Sequence, residues 1–403
     1  MLFTPARHES LADVRFSEAS AREAIDRIAE RAARELDRKT GLWPRDSVDV
    51  QVPGEARAAS LYWGAAGVAW ALGELARDGY VDAVVVDRVL VGGLARRLED
   101  DRDDPDFGEE GVWFGIAGAL AVAERLSPDA SRRDRLADLA AASLASPALE
   151  PMQGHPGYMV LAQQLYAGTG EERWAAFWSE GAERLLREWR YDEGLGAWLW
   201  TQRLGSYETT YLGAAHGLVG NIGVLLKGGP LLGDDQRQDV ERRAVETMSR
   251  LAVVEDGRAN WPTGAGFPLI QNERIRVQWC HGAAGVLTAM CDVATDDDAW
   301  SELLLAAGRL VWDAGPLRDA PGICHGTAGN AYALLALWRR TGDSEWLERA
   351  RAFAQHAAAQ TERRAAQLGC GWHSLFTGDE GVAMCLASCI VGDADVPVAD
   401  RLI

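Results

Sequence analysis

Two kinds of segment alternate along this chain. In the first, runs such as VAWALGELA, ALAVAERL, NIGVLL, VLTAM and NAYALLALW are apolar on almost every side, which predicts helices enclosed by protein. In the second, apolar residues recur at steps of three and four with charges between them: Ile25, Ile28, Ala32 and Leu36 within 20–39, and Trp346, Ala350, Phe353 and Ala357 within 344–360. That spacing predicts amphipathic helices with one face in water. Comparable stretches near 83–99, 131–145, 170–189, 234–252 and 296–313 bring the amphipathic helices to seven.

Most of the apolar runs open on a Gly-x-x-Gly element. It occurs seven times, beginning at Gly64, Gly115, Gly154, Gly217, Gly282, Gly326 and Gly378, at intervals of 39 to 65 residues. Spacing of this order marks a stacked or radial repeat. The predicted architecture is all-α: an α/α toroid of seven inner and seven outer helices, filling 1–403 as one domain. An open α-solenoid competes with it, but its end repeats need polar caps. Paired glycines let backbones approach where the ring narrows. The residues just before them are therefore expected to converge at one end of the central cavity.

Composition narrows the function. A formal charge of -19 sets nucleic acid aside, since phosphate binding rests on clustered Lys and Arg. The longest uncharged apolar run, Leu61 to Leu72, is too short to span a bilayer, and MLFTPARHES lacks the apolar core of a secretory signal. A soluble, cytosolic protein with no transmembrane segment is expected. Six cysteines in 403 residues read as reduced thiols, with Cys291, Cys370, Cys385 and Cys389 as small hydrophobes.

The other two cysteines carry candidate chemistry. Trp279-Cys280-His281-Gly282 and Ile323-Cys324-His325-Gly326 each place a thiol beside an imidazole just before an apolar helix. Thiolate and imidazole are zinc donors, and two cysteines with one histidine leave a fourth position open, as in catalytic sites. The two segments lie 44 residues apart, so the fold must bring them together.

These motifs, with QWCHGAAGV, GICHGTAGNAYALLAL and HSLFTGDEGVA, resemble the lanthionine synthetase C-like family, and more its stand-alone LanC-like branch than the lantibiotic cyclases. The resemblance implies one Zn2+ held by Cys280, Cys324 and His325, with His216, Arg276, His281 and Glu150 as catalytic residues. It also implies addition of a cysteine thiol, from glutathione or a peptide, to dehydroalanine or dehydrobutyrine in a peptide or protein, giving a thioether. The family leads one to expect a basic residue just before Cys324, where only Arg318 stands nearby, and small apolar residues where this chain has Asp379 and Glu380. Acid there would repel an anionic thiol or coordinate a cation.

Such a reaction meets two obstacles. A free thiol with pKa of about 8.5 is mostly protonated at neutral pH, and a metal overcomes this by deprotonating it. The enolate left after carbon–sulfur bond formation then needs positive charge, which Arg276 or its neighbour Arg274 supplies, and a proton, from His216 or His281. Glu150 would orient one of these histidines. Trp63, Trp113 and Trp279 are placed to form an apolar wall, and His155 and His373 are placed to line the cavity, with no role assigned. Three other functions remain open: a peptide cyclase acting on a dehydrated precursor, a noncatalytic zinc- or thiol-binding protein, and a toroidal glycosidase with Glu109, Glu110 or Glu150 as acids.

Overall fold

A computed structural model describes residues 1–43, 59–82 and 111–403. Among these are thirteen α-helices. Seven begin at the glycine motifs: α2 (Ala65–Arg77), α3 (Ile116–Leu126), α5 (His155–Thr169), α7 (Leu218–Lys227), α9 (Ala283–Met290), α11 (Thr327–Thr341) and α13 (Asp379–Val391). Six are the amphipathic partners: α1 (Glu18–Glu35), α4 (Ala130–Ser143), α6 (Glu172–Glu188), α8 (Asp234–Leu251), α10 (Asp298–Ala314) and α12 (Ser344–Leu368). The amphipathic stretch near 83–99, like Glu109 and Glu110, lies outside the described residues.

Burial follows the two patterns. Every residue of α11 from Thr327 to Leu337 is buried, whereas α12 buries the Trp346, Ala350, Phe353 and Ala357 stripe. In α1 the fully buried stripe ends at Ala32, and Leu36, at the C-cap, packs half-buried against the core.

The ring closes. Each motif's second glycine has no room for a Cβ: at Gly118 it would lie inside the van der Waals radius of the Val112 carbonyl and 2.8 Å from the Leu61 Cβ of the preceding motif. The same contact recurs around the chain, and at Gly67 the neighbour is Leu375 Cβ, 2.8 Å away in the last motif. Helix α13 packs against α2, and α1 covers α13, so first and last repeats are neighbours. A solenoid would leave those faces apart.

The glycine turns also explain why inner helices start without a Ser, Thr or Asp cap. Their first N–H groups donate to carbonyls seven residues upstream, as in Leu218 N–H to Tyr211 O (2.9 Å), Thr327 N–H to Ala320 O (3.1 Å) and Asp379 N–H to Trp372 O (2.8 Å). The backbone thus satisfies donors that a helix start otherwise leaves orphaned.

Three short hairpins depart from the all-helical expectation: β1 (Arg190–Asp192) with β2 (Ala197–Leu199), β3 (Gln202–Leu204) with β4 (Tyr207–Thr209), and β5 (Val253–Glu255) with β6 (Arg258–Asn260). The third carried a readable signal. Asp256 and Gly257 both take positive φ, 51° and 71°, as a two-residue Asp-Gly hairpin turn requires.

The end of the ring away from the glycine turns is closed by the C-terminal segment. Trp70 donates to Leu402 O (2.8 Å), and Lys227 pairs with Asp400. A cavity of about 40 Å³ remains between that segment and Trp113 and Trp279, enough for a few waters. The turns therefore form a mouth with a floor.

Candidate active site

Hydrogen bonds between successive glycine turns assemble the mouth. Cys280 N–H donates to Cys324 O (3.0 Å), Cys324 N–H to Phe376 O (2.8 Å), Phe376 N–H to Tyr62 O (3.1 Å) and Tyr62 N–H to Trp113 O (2.9 Å). Each of these residues stands two places before the first glycine of its motif. Cysteines remote in sequence become neighbours because they occupy equivalent positions in adjacent repeats.

Their thiols touch. A hydrogen bond from Cys324 lowers the Cys280 pKa, burial opposes it, and the Gln278 amide with the charges of His216 and Arg276 complete the shift to about 7. Gln278 Nε2 lies 2.9 Å from Cys280 Sγ. Sequence reasoning quoted Gln278 within a motif but gave it no role.

Glu150 and His216 form a second group. The Glu150 carboxylate is fully buried and accepts from Met152 N–H (3.0 Å), Gln153 N–H (2.6 Å) and His216 Nδ1 (3.0 Å). The buried carboxylate orients the imidazole through Nδ1. A glycosidase acid would need that carboxyl free to reach a sugar, and its oxygens are already committed.

His281 differs from His216. Burial first, then the charges of His216 and Arg276, push its pKa down to about 3, and its Nδ1 has no hydrogen-bond partner among the described residues. Those causes hold it toward the neutral form. His325 is also held toward the neutral form, by burial and by the charge of Arg7. Among the described residues, no three His, Cys, Asp or Glu side chains stand close enough to hold a metal ion. The backbone bond between their turns brings Cys280 and Cys324 together, and His325 follows Cys324 directly in the same turn.

Of the two candidate arginines, Arg274 is exposed, whereas Arg276 is half-buried and its Nη1 has no hydrogen-bond partner among the described residues. A further guanidinium arrives from the N-terminal segment, which sequence reasoning did not connect with the site. Ile275 N–H donates to Thr4 Oγ1 (2.8 Å), Arg318 N–H to Arg7 O (2.9 Å) and the Arg318 guanidinium to His8 O (3.0 Å). So strapped, Arg7 donates to Gln278 Oε1 (3.4 Å) and feels the charges of Arg274, Arg276 and Cys280. Arg318 holds the strap, and the extra positive charge beside the thiols comes from Arg7.

The remaining candidates have other partners. His155 lies between α5 and α6 with Nε2 3.3 Å from Gly181 O, and burial lowers its pKa to about 4. His373 sits between Glu380 (2.9 Å) and Glu35 (2.7 Å), and Asp379 pairs with Arg31 (3.1 Å). The acids of the last motif therefore fasten α1 to α13 at the ring closure, and the idea that they face a substrate or hold a cation is not needed. Trp113 and Trp279 stack at 5.8 Å and continue the wall expected of them. Cys291, Cys385 and Cys389 are buried and Cys370 is half-buried, and all six cysteines are free thiols.

Residues 55–400 match the family model described as Lanthionine synthetase C-like protein. Over 151 residues, 37% of the chain, the sequence is 34% identical to a Danio rerio protein named Glutathione S-transferase LANCL1 and 37% identical to the Arabidopsis thaliana LanC-like protein GCL1. Those alignments span about a third of each relative, 35% and 33%. The fold is similar to that of nisin cyclase, with a TM-score of 0.66 at 15% identity over 90% of this chain and 93% of the other.

Proposed function

Because the chain belongs to the lanthionine synthetase C-like family, we propose that it adds a cysteine thiol to the β-carbon of a dehydroalanine or dehydrobutyrine residue, forming a thioether. The observation that carries this reading is the pairing of the Cys280 and Cys324 thiols in a mouth that also holds the Glu150–His216 pair and Arg276. Cys280, Cys324 and His325 would hold a zinc ion: the donor types suit it, and the lowered pKa of Cys280 favours the thiolate it requires. Bound there, zinc supplies the Lewis acidity that keeps a donor thiol ionised at neutral pH.

The chain's own residues do the rest. His216, with its Nδ1–H given to Glu150, takes the donor's proton at Nε2. As sulfur bonds to the β-carbon, the π electrons of the acceptor move onto its carbonyl oxygen. Arg276 donates hydrogen bonds to that developing enolate, a contribution of about 3 to 4 kcal/mol where such donors are preorganised. The His216 imidazolium then returns its proton to the α-carbon, leaving a neutral thioether.

Two guanidiniums act on the Cys280 thiol, Arg7 and Arg276, with Arg274 close to Arg7, and together they favour an anionic donor. Glutathione meets that description, and the name of the zebrafish relative accords with it. A glutathione-dependent reaction and six free cysteines suit a reducing, cytosolic setting. No helix among the described residues is long and apolar enough to cross a membrane. The test is metal analysis and mass spectrometry on the parent and Cys324→Ala. The parent is expected to carry close to one zinc per chain and to convert a dehydroalanine peptide to its glutathione adduct, and the variant to lose both. A zinc-loaded parent that forms no adduct with glutathione or with a peptide cysteine overturns the enzymatic reading.

A further inference from the structure

The pseudo-sevenfold arrangement sorts the mouth into two halves. The residue immediately before the first glycine is histidine in motifs four, five and six (His216, His281 and His325), but aromatic in motifs one and two (Trp63 and Phe114). Two places before that glycine, the thiols of motifs five and six give way to Phe376, Tyr62 and Trp113 in motifs seven, one and two. Because the turns are joined by the same backbone bonds from Cys280 through to Trp113, residues at matching positions belong to the same rim.

The aromatic half is one contiguous cluster, with Phe376 fully buried beneath it. Tyr62 and Phe376 are stacked nearly parallel at 5.3 Å, Tyr62 meets Trp63 at 5.3 Å and Phe114 at 5.1 Å, and Trp63 meets Phe114 at 5.1 Å. Tyr62 and Phe114 are each 7% exposed, whereas Trp63 is half-buried and forms the accessible edge. The Phe376 turn adjoins that of Cys324, so this surface begins where the thiols end. The positive groups lie elsewhere: Arg7, Arg274 and Arg276 gather on the Cys280 side.

We propose that Trp63 and Phe114 form the acceptor subsite, a platform that holds the dehydroamino-acid residue and an apolar neighbour in its polypeptide across the mouth from the guanidiniums. The inference rests on the thiol-addition reading. A dehydroamino acid is planar at both unsaturated carbons and uncharged, so its face suits an aromatic surface as a charged thiol donor suits arginine. The mouth thereby separates its two substrates by chemistry, and the acceptor's flat face is held beside the position where the sulfur arrives.

Steady-state kinetics with glutathione and a dehydroalanine peptide flanked by leucine, on zinc-loaded parent, Trp63→Ala, Trp63→Phe and Phe114→Leu, tests this. In Trp63→Ala the KM for the peptide is expected to rise about tenfold, with the KM for glutathione and the zinc content unchanged. Trp63→Phe should restore most of the affinity, and Phe114→Leu should weaken it in the same direction without removing a large side chain. Unchanged peptide KM in both Trp63→Ala and Phe114→Leu, or parallel changes in the KM for both substrates, overturns the proposal. Calorimetry of the dehydroalanine peptide without glutathione, against its alanine counterpart, separates the two levels of inference. Parent binding that is lost in Trp63→Ala supports the platform even where no thioether forms, whereas thioether formation at parental peptide KM in the variants removes the platform and leaves the reaction standing.

Discussion

Replacing Glu150 with glutamine changes one atom of a buried side chain and should disable the site through its histidine. The carboxylate accepts three hydrogen bonds, with Oε1 serving Gln153 N–H and Oε2 serving both Met152 N–H and His216 Nδ1–H. An amide keeps one acceptor oxygen for Gln153 and turns its NH2 toward two donors. Hydrogen bonds to a buried charged group contribute about 1.5 to 3 kcal/mol each, so two lost bonds set an upper limit of about 3 to 6 kcal/mol. His216 can recover one of them by moving its proton to Nε2 and accepting from the new NH2 at Nδ1. The expected loss of stability is then about 2 to 3 kcal/mol, readable in urea denaturation. The same shift places a proton where His216 should receive one, and a wrong tautomer in a comparable His–carboxylate pair costs about 10⁴ in kcat. Rates of glutathione adduct formation should therefore fall at least a hundredfold in Glu150→Gln, while zinc content stays at the parental level. Nitrogen-15 NMR of the histidines reads the tautomer directly. A variant with parental rate and His216 still protonated on Nδ1 would refute the role given to Glu150.

Other consequences follow from the same geometry. Gly118→Ala drives a Cβ into the Val112 carbonyl and toward Leu61, so it should destabilise by about 1 to 3 kcal/mol or more, whereas Gly168→Ala, with nothing within 4 Å in helix α5, should be neutral or stabilise by up to about 1 kcal/mol. Paired denaturation curves decide whether the ring contact or glycine's helix propensity governs. His373 is a buried cation in the fold: burial lowers its pKa, but Glu380 and Glu35 outweigh this and raise it to about 10 from an ordinary 6.5. Its contribution is fully present below about pH 6.5, amounts there to at most about 4 to 5 kcal/mol, and is lost as pH rises through 10. The stability difference between parent and His373→Gln should accordingly shrink from pH 6 to pH 10, and a difference independent of pH would mean that His373 is neutral in the native state. Arg276→Lys keeps the charge but loses the planar fork, so kcat for adduct formation should fall about ten- to a hundredfold with zinc retained. An unaffected kcat would move enolate stabilisation to another donor.

The alternation of wholly apolar and one-faced helices, the sevenfold glycine element and the two Cys-His-Gly segments are all sequence properties, and they were enough to specify a closed double ring with reactive residues at the glycine turns. That information is local: helical burial patterns repeat every few residues, and the second glycine of a motif is demanded by contacts within and next to its own turn. The family resemblance pointed to Glu150 as the carboxylate that orients a histidine, but the sequence could not choose between His216 and His281, because 66 residues separate Glu150 from His216. Arg7 gave no signal at all, since nothing near Pro5 or His8 says that the segment will be strapped across the mouth by Arg318. The same holds for Asp379 and Glu380, whose charges looked like a departure at the substrate face until Arg31, Glu35 and His373 were found beside them. Periodicity along the chain fixes which side of a helix is buried, but a side chain's ionisation and partners depend on groups that arrive from distant repeats, and only closing the ring decides which groups those are.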